Sequence, residues 1–178
     1  LERGEKVQAA HVEESMAVVQ LALGQAEIAE EVFEQALTTY REAGQHDYVL
    51  RIKGLVIRAV LAQGNIERAA YWLASGEAVA EANKLALPFT FVLQAARTER
   101  LLGARSAAEH RLRMALSQFK GSGAERAELL TELATTQEAQ GNLHDALISL
   151  RSAREEERLD AEARHDRALG WLRTRFEL

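Results

Sequence analysis

This sequence predicts an all-α fold, an α-solenoid of about four helical hairpins followed by a C-terminal helix, and three observations carry that prediction. The first is a recurring skeleton in which a glycine is followed by Ala five residues on, a large apolar residue four further and Ala three further. It reads Gly24, Ala29, Phe33, Ala36, then Gly64, Ala69, Leu73, Gly76, then Gly103, Ala108, Leu112, Ala115, then Gly141, Ala146, Leu150, Ala153. The second is its period: successive turn glycines stand 40, 39 and 38 residues apart, a near-constant step typical of stacked helical hairpins. The third is composition. Alanine is abundant while Phe, Tyr and Trp number only 5, 3 and 2, so the core is built from many small contacts between closely approaching helices.

The elements follow in order. Val7, Ala10, Met16, Val19 and Leu23 lie at helical spacing over residues 6–23, and Gly24 closes that helix. The partner helix, 26–43, carries a wide apolar face of Ile28, Ala29, Val32, Phe33, Ala36, Leu37 and Tyr40 and ends at Gly44. Asp47 is the expected N-cap of a third helix over 48–63, after which Gly64-Asn65 turns the chain into a fourth, 67–84. Pro88 suits the first turn of a fifth helix over 89–102. Gly103 leads into a sixth, 107–120. Ser122 and Glu125 have capping-box spacing for a seventh helix reaching Gln140. Gly141-Asn142 opens an eighth over 145–158, and a ninth segment, 161–178, caps the repeats of residues 1–160. At the last alanine position the second copy has Gly76, so that helix crossing is expected to differ in spacing from the others.

Composition also excludes functions. A net charge of −5 argues against general nucleic-acid or anionic-membrane binding, which calls for a basic domain or stripe. The absence of cysteine removes disulfide frameworks and thiolate chemistry and fits a reducing, cytoplasmic setting. No apolar run reaches membrane-spanning length. His11, His46, His110, His144 and His165 form no metal-ligand spacing and read as surface residues, and Glu27, Glu30, Glu31 and Glu34 read as a solvated acidic ridge. With no nucleophile motif, phosphate loop or dinucleotide fingerprint, the chain is expected to be non-catalytic, with no cofactor and no metal. It begins at Leu1 and stops at Leu178 within an apolar-periodic segment, which reads as a piece of a longer polypeptide.

The skeleton of turn glycine, alanine, bulky apolar residue and alanine resembles the tetratricopeptide repeat (TPR), and the resemblance covers nearly the whole chain. The second helix of each hairpin matches well. In the first helix, the small residue seven before the glycine is present as Ala17, Ala96 and Ala134 but is Ile57 in the second copy; the aromatic four before it is replaced by Gln20, Val60, Glu99 and Gln137. The longer period resembles the bacterial TPR variety found beside signalling domains. The tail, with Leu169, Leu172 and Phe176 at coiled-coil spacing, is similar to exit segments that lead into GGDEF or histidine-kinase domains and offers a homodimer seam.

The resemblance implies a protein-interaction or sensory module of a larger bacterial signalling protein. It also leaves open a ligand-sensing domain of a large transcriptional activator, or a plain scaffold. In such solenoids the first helices line a concave face. Counting back from the glycines places Arg51, Leu55 and Arg58, then Thr90, Gln94 and Arg97, then Glu128, Glu132 and Thr135 on it, with Arg100 one turn beyond Arg97. Two readings follow for this basic strip. Either it binds a carboxylate or an acidic peptide through forked guanidinium bonds, or Arg97 and Arg100 pair internally with Glu132 and Glu138. The carboxylate clamp of chaperone-binding members requires Lys and Asn where this chain has Glu14 and Val18.

Overall fold

In the computed structural model, which describes residues 3–176, the side chains at 3, 172–174 and 176 excepted, the chain forms eight α-helices. They are α1 (Arg3–Ala22), α2 (Ala26–Glu42), α3 (His46–Ala62), α4 (Ile66–Asn83), α5 (Phe89–Leu101), α6 (Arg105–Gln118), α7 (Gly123–Ala139) and α8 (Leu143–Phe176). No strand occurs among the described residues. The helices fall into two compact units, α1–α5 up to Ala104 and α6–α8 from Arg105 onward.

The turn glycines act as the sequence requires. At Gly24, φ is +82°, a backbone that a β-carbon would strain by about 1–2 kcal/mol. There the amide of Gln25 donates to the Gln20 carbonyl at 3.0 Å and that of Gly24 to Leu21 at 3.1 Å, a Schellman closure that satisfies two orphan carbonyls. The same pair of bonds ends the helices at Gly44, Gly64, Gly103 and Gly141. Helix α4 makes this closure without a glycine: Lys84 takes φ +53° while Leu85 N–H donates to Ala80 at 2.9 Å. Lys84→Gly is therefore expected to stabilise the protein by about 1 kcal/mol, read as a higher urea midpoint at unchanged slope.

Two residues assigned to helix starts take other positions there. Asp47 lies in the first turn of α3, whose N-cap is Gln45, because the closure at Gly44 leaves no intervening residues before the new helix. Pro88 is the N-cap of α5, in extended conformation with ψ 155°, rather than part of its first turn. Asn65 caps α4, its side chain accepting from the Arg68 amide at 3.0 Å. The capping box on α7 forms as predicted: Glu125 N–H donates to Ser122 Oγ at 3.2 Å and Ser122 N–H to Glu125 Oε2 at 2.9 Å.

The eighth and ninth segments are one helix. Nothing between 158 and 161 breaks it, and Arg158 bridges the expected gap by pairing with both Glu155 and Glu162 on its own helix, followed by Asp160 with Arg164. The 17-residue α7 lies along the first half of the 34-residue α8. Gly123 at the start of α7 abuts Asp160, and Arg126 pairs with Glu156 at 2.9 Å. Residues 161–171 outrun that partner and are exposed, so this stretch does not cap the repeats as expected. Leu169 is exposed with them, while the side chains of Leu172 and Phe176, also assigned to the seam, lie outside the described residues.

In the first unit the core joins Phe33, Tyr40, Ile52, Val56, Val60 and Phe91 with the crossing alanines Ala29, Ala36 and Ala69. The alanine five residues after each turn glycine is buried in all four copies, whereas Ala115, in the third copy's last position, is half-buried. Gly76 makes the unusual crossing. A β-carbon there would sit 2.1 Å from Phe91 Cε2, and one on Gly54 would sit 2.8 Å from the Phe91 backbone nitrogen. Phe91 is thus held between two glycines on α3 and α4. The same unit buries Lys53 completely, its Nζ 2.6 Å from Ser75 Oγ and 4.7 Å from the Trp72 ring centroid. In the second unit, Leu112, Leu129, Leu133 and Ala134 are buried, and the amide of Gln137 meets the buried Ser149 hydroxyl at 2.8 Å.

Candidate functional site

Helices α1, α3 and α5 are the first helices of successive hairpins, and the first unit contains all three. On α3, residues 51, 55 and 58 share one face by their spacing of four and three; on α5, residues 90, 94 and 97 do the same. What lies on these faces differs from residue to residue.

Arg51 does not project freely. Its guanidinium forks onto Glu14 of α1, with Nη2 donating to Oε2 at 2.7 Å and Nη1 bound to Oε1. Glu14 is buried and also accepts from the Tyr40 hydroxyl at 3.2 Å. That hydroxyl lies 2.8 Å from His11 Nδ1. Since the single phenolic proton goes to Glu14, the proton of the second contact belongs to His11 Nδ1. Burial, reinforced by the Glu14 charge, pushes the Tyr40 hydroxyl above the ordinary phenol range and keeps it a donor. Three rings close the cluster: Tyr40 and Tyr48 stack at 5.2 Å, His11 meets Tyr48 edge-on at 4.7 Å, and Arg51 lies over the Tyr48 ring at 5.2 Å.

His11, expected on the surface, is thus half-buried in a polar network, while His46, His110, His144 and His165 are exposed. The signal for the network was present but indirect. Tyr40 and Tyr48 flank the turn at Gly44, and Glu14 and Arg51 stand 37 residues apart, just under one repeat period. The acidic ridge on α2 also divides. Glu27 and Glu31 are exposed, but Glu30 is buried, accepting from Gln63 at 2.7 Å and pairing with Arg68 at 2.6 Å.

Leu55 and Gln94 are buried in the helix stack, and Thr90 is half-buried. Arg97 and Arg100 are half-buried and already engaged, Arg97 reaching Gln94 Oε1 at 3.5 Å. Arg58 differs: it is exposed, and among the described residues no carboxylate lies within ion-pair distance of it. In the second unit, Glu132 is buried and engaged, Glu128 is exposed, and the half-buried Thr135 donates to its own helix at the Thr131 carbonyl, 3.0 Å away. Among the described residues there is no cluster that would hold a metal ion and no helix long and apolar enough to cross a membrane.

No family model matches the sequence, and no curated protein does either. Solved structures do. BtubC (BKLC) from P. vanneervenii superposes with a TM-score of 0.64 at 16% identity over 84% of this chain and 63% of its own. This chain therefore spans somewhat under two thirds of that protein. The nearly identical TPR-like repeats of a kinesin light chain type from Podosopora anserina give 0.57 at 21% identity, over 83% of this chain and 74% of that one. TTC0263, a thermophilic TPR protein in Thermus thermophilus, gives 0.50 at 22% identity over 92% and 99%. These likenesses show the fold, a TPR-like array of helical hairpins.

Proposed function

We propose that this TPR-like chain is a protein-interaction scaffold, and that the face of α3 and α5 in its first unit receives an acidic segment of a partner. The observation that carries the reading is Arg58. An exposed guanidinium without an internal carboxylate keeps all its donors for a ligand, and its forked geometry matches a carboxylate. Arg97 adds positive charge on the neighbouring helix. The stacked Tyr40–Tyr48 pair with His11 provides a rigid aromatic edge on the same side as Arg51, which Glu14 neutralises. What this arrangement offers a partner is recognition, a forked guanidinium beside an aromatic edge.

The test is a titration of a fluorescein-labelled, glutamate-rich ten-residue peptide followed by anisotropy at low and high salt. Binding is expected, weakening with salt. Arg58→Glu combined with Arg97→Glu is expected to reduce affinity by at least about tenfold, the loss of one charge-assisted contact. Wild-type protein that ignores the peptide, or a double variant that binds it equally well, rejects the groove. A second reading, a sensory module whose output leaves through α8, is supported by the continuity of that helix past its α7 partner. It is tested by reading the coding sequence that follows Leu178.

A further inference from the structure

Two helices carry open apolar strips, and most of the matching positions elsewhere in the chain are covered or half-covered. Val12, Met16 and Val19 of α1 stand twelve, eight and five residues before Gly24. In α3, α5 and α7 the same positions before Gly64, Gly103 and Gly141 hold Ile52, Val56 and Ala59, then Phe91, Ala95 and Thr98, then Leu129, Leu133 and Thr136, and all nine are buried. On α1 the three are exposed, from 56% at Met16 to 61% at Val12. The converse holds on α8. Leu150, nine residues after Gly141, is 41% exposed, whereas Phe33, Leu73 and Leu112 at that position of α2, α4 and α6 are at most 8% exposed. Leu143 and Leu147 continue the open strip; of their counterparts, Ala26 and Glu30 on α2 are buried, Ile66 and Ala70 on α4 and Glu109 on α6 are half-buried, and Arg105 on α6 is exposed.

In α2 this face of a second helix meets the first helix of the next hairpin: Glu30, six after its glycine, binds Gln63, one before the next. The step from α6 to α7 repeats the pair, Glu109 accepting from Gln140; between α4 and α5 the positions hold Ala70 and Leu102. The open positions follow the same rule. Six after Gly141 stands Leu147, and one before Gly24 stands Leu23, both exposed. A polar partner is matched by a polar one, and an apolar one by an apolar one. The charges beside the strips are also complementary, with exposed Arg151 and Arg154 on α8 and exposed Glu5 and Glu13 on α1.

We infer that α8 of one copy of this chain docks on α1 of a second copy, continuing the hairpin-to-hairpin packing from molecule to molecule. Such a contact uses two different surfaces, so it is heterologous and propagates into rows unless it closes. It is independent of the α3/α5 face.

The geometry sets a complementation test by multi-angle light scattering on the full chain. Wild type is expected to gain mass beyond dimer as concentration rises. Met16→Glu breaks only the α1 face and Leu147→Glu only the α8 face; both sites are exposed, so each variant folds and is expected to be monomeric alone. Mixed one to one, they are expected to form a species of twice the monomer mass that grows no further, since one intact α8 face meets one intact α1 face and the remaining faces are both broken. A wild type that stays monomeric at all concentrations, a single variant that associates like wild type, or a mixture that remains monomeric would overturn the inference.

Discussion

Gly76→Ala is expected to destabilise the protein by about 1–3 kcal/mol, the usual cost of overpacking a filled core, although alanine is the better helix former by about 0.5–1 kcal/mol. The new methyl would sit 2.1 Å from Cε2 and 2.4 Å from Cζ of Phe91. The ring has no room to yield. Phe91 is fully buried, and behind it the backbone of residues 90 and 91 lies 2.8–2.9 Å from where a β-carbon of Gly54 would be. Gly54→Ala should therefore be at least as damaging, since there the obstacle is backbone and α5 as a whole must move. Phe91→Leu removes Cε2 and Cζ, the two ring atoms that the Gly76 methyl would clash with. In the double variant, Gly76→Ala should cost at least about 1 kcal/mol less than in wild type, a coupling within the range of contacting residues. Urea unfolding of the four proteins checks this. A Gly76→Ala variant as stable as wild type, or a coupling near zero, would show that Phe91 does not fill the space above Gly76.

This wedge marks where the sequence was legible and where it was not. The repeat skeleton places the four turns within the hairpins because a glycine in left-handed conformation and a buried alanine five residues later are local requirements, visible in one pass along the chain. Gly76 stood out only because it replaces alanine in that skeleton. Gly54 lies inside a helix with no local reason to be glycine; its reason is the backbone of residue 91, 37 positions away. The Glu14–Arg51–Tyr40–His11 network has the same character, since each residue is unremarkable on its own helix and only the stacking of α1, α2 and α3 brings them together. The continuity of α8 was hidden for another reason. Its middle, from Glu155 to Arg164, is laced by ion pairs within the helix rather than by apolar burial, and periodicity is blind to that.

Of the groove residues, spacing on a helix groups them by face but cannot tell burial from exposure. Counting back from the glycines treats Leu55, Gln94 and Arg58 alike, yet the first two are enclosed and the third is open. The difference comes from the neighbouring helices, and the same neighbours explain why Arg51 is spent on Glu14. The acidic ridge fails as a uniform surface for the same cause: one turn of α2 presents Glu27 and Glu31 to water while turning Glu30 toward Gln63 and Arg68.

Lys53→Met is expected to stabilise the protein at pH 7, by about 1–4 kcal/mol, the range seen when buried charges give way to apolar side chains of similar volume. Lys53 is fully enclosed and faces no carboxylate among the described residues; its nearest groups are the Ser75 hydroxyl and the Trp72 ring. Burial, with repulsion from Arg41 added, pulls its ammonium from 10.5 down to about 8. That depression costs about 3 kcal/mol at neutral pH relative to an unperturbed lysine. The sign follows from proton counting. Between pH 8 and about 10.4 the unfolded chain holds a proton that the folded one has released, so wild-type stability should rise with pH across this window, and below pH 8 the full penalty should persist. Tyr40 acts oppositely but later: its folded form keeps the phenolic proton after the unfolded tyrosine, near pH 10, has lost it, so stability from that group declines only above pH 10. Chemical unfolding at steps from pH 7 to 9.5 isolates the lysine. The rise should be present in wild type and absent in Lys53→Met, with the two curves converging toward the alkaline end. If the variant is less stable than wild type throughout, or if both curves are flat, then the Ser75 and Trp72 contacts fully compensate the buried charge. The cation would then be a stabilising feature of the α3/α4 packing, tolerated at no cost.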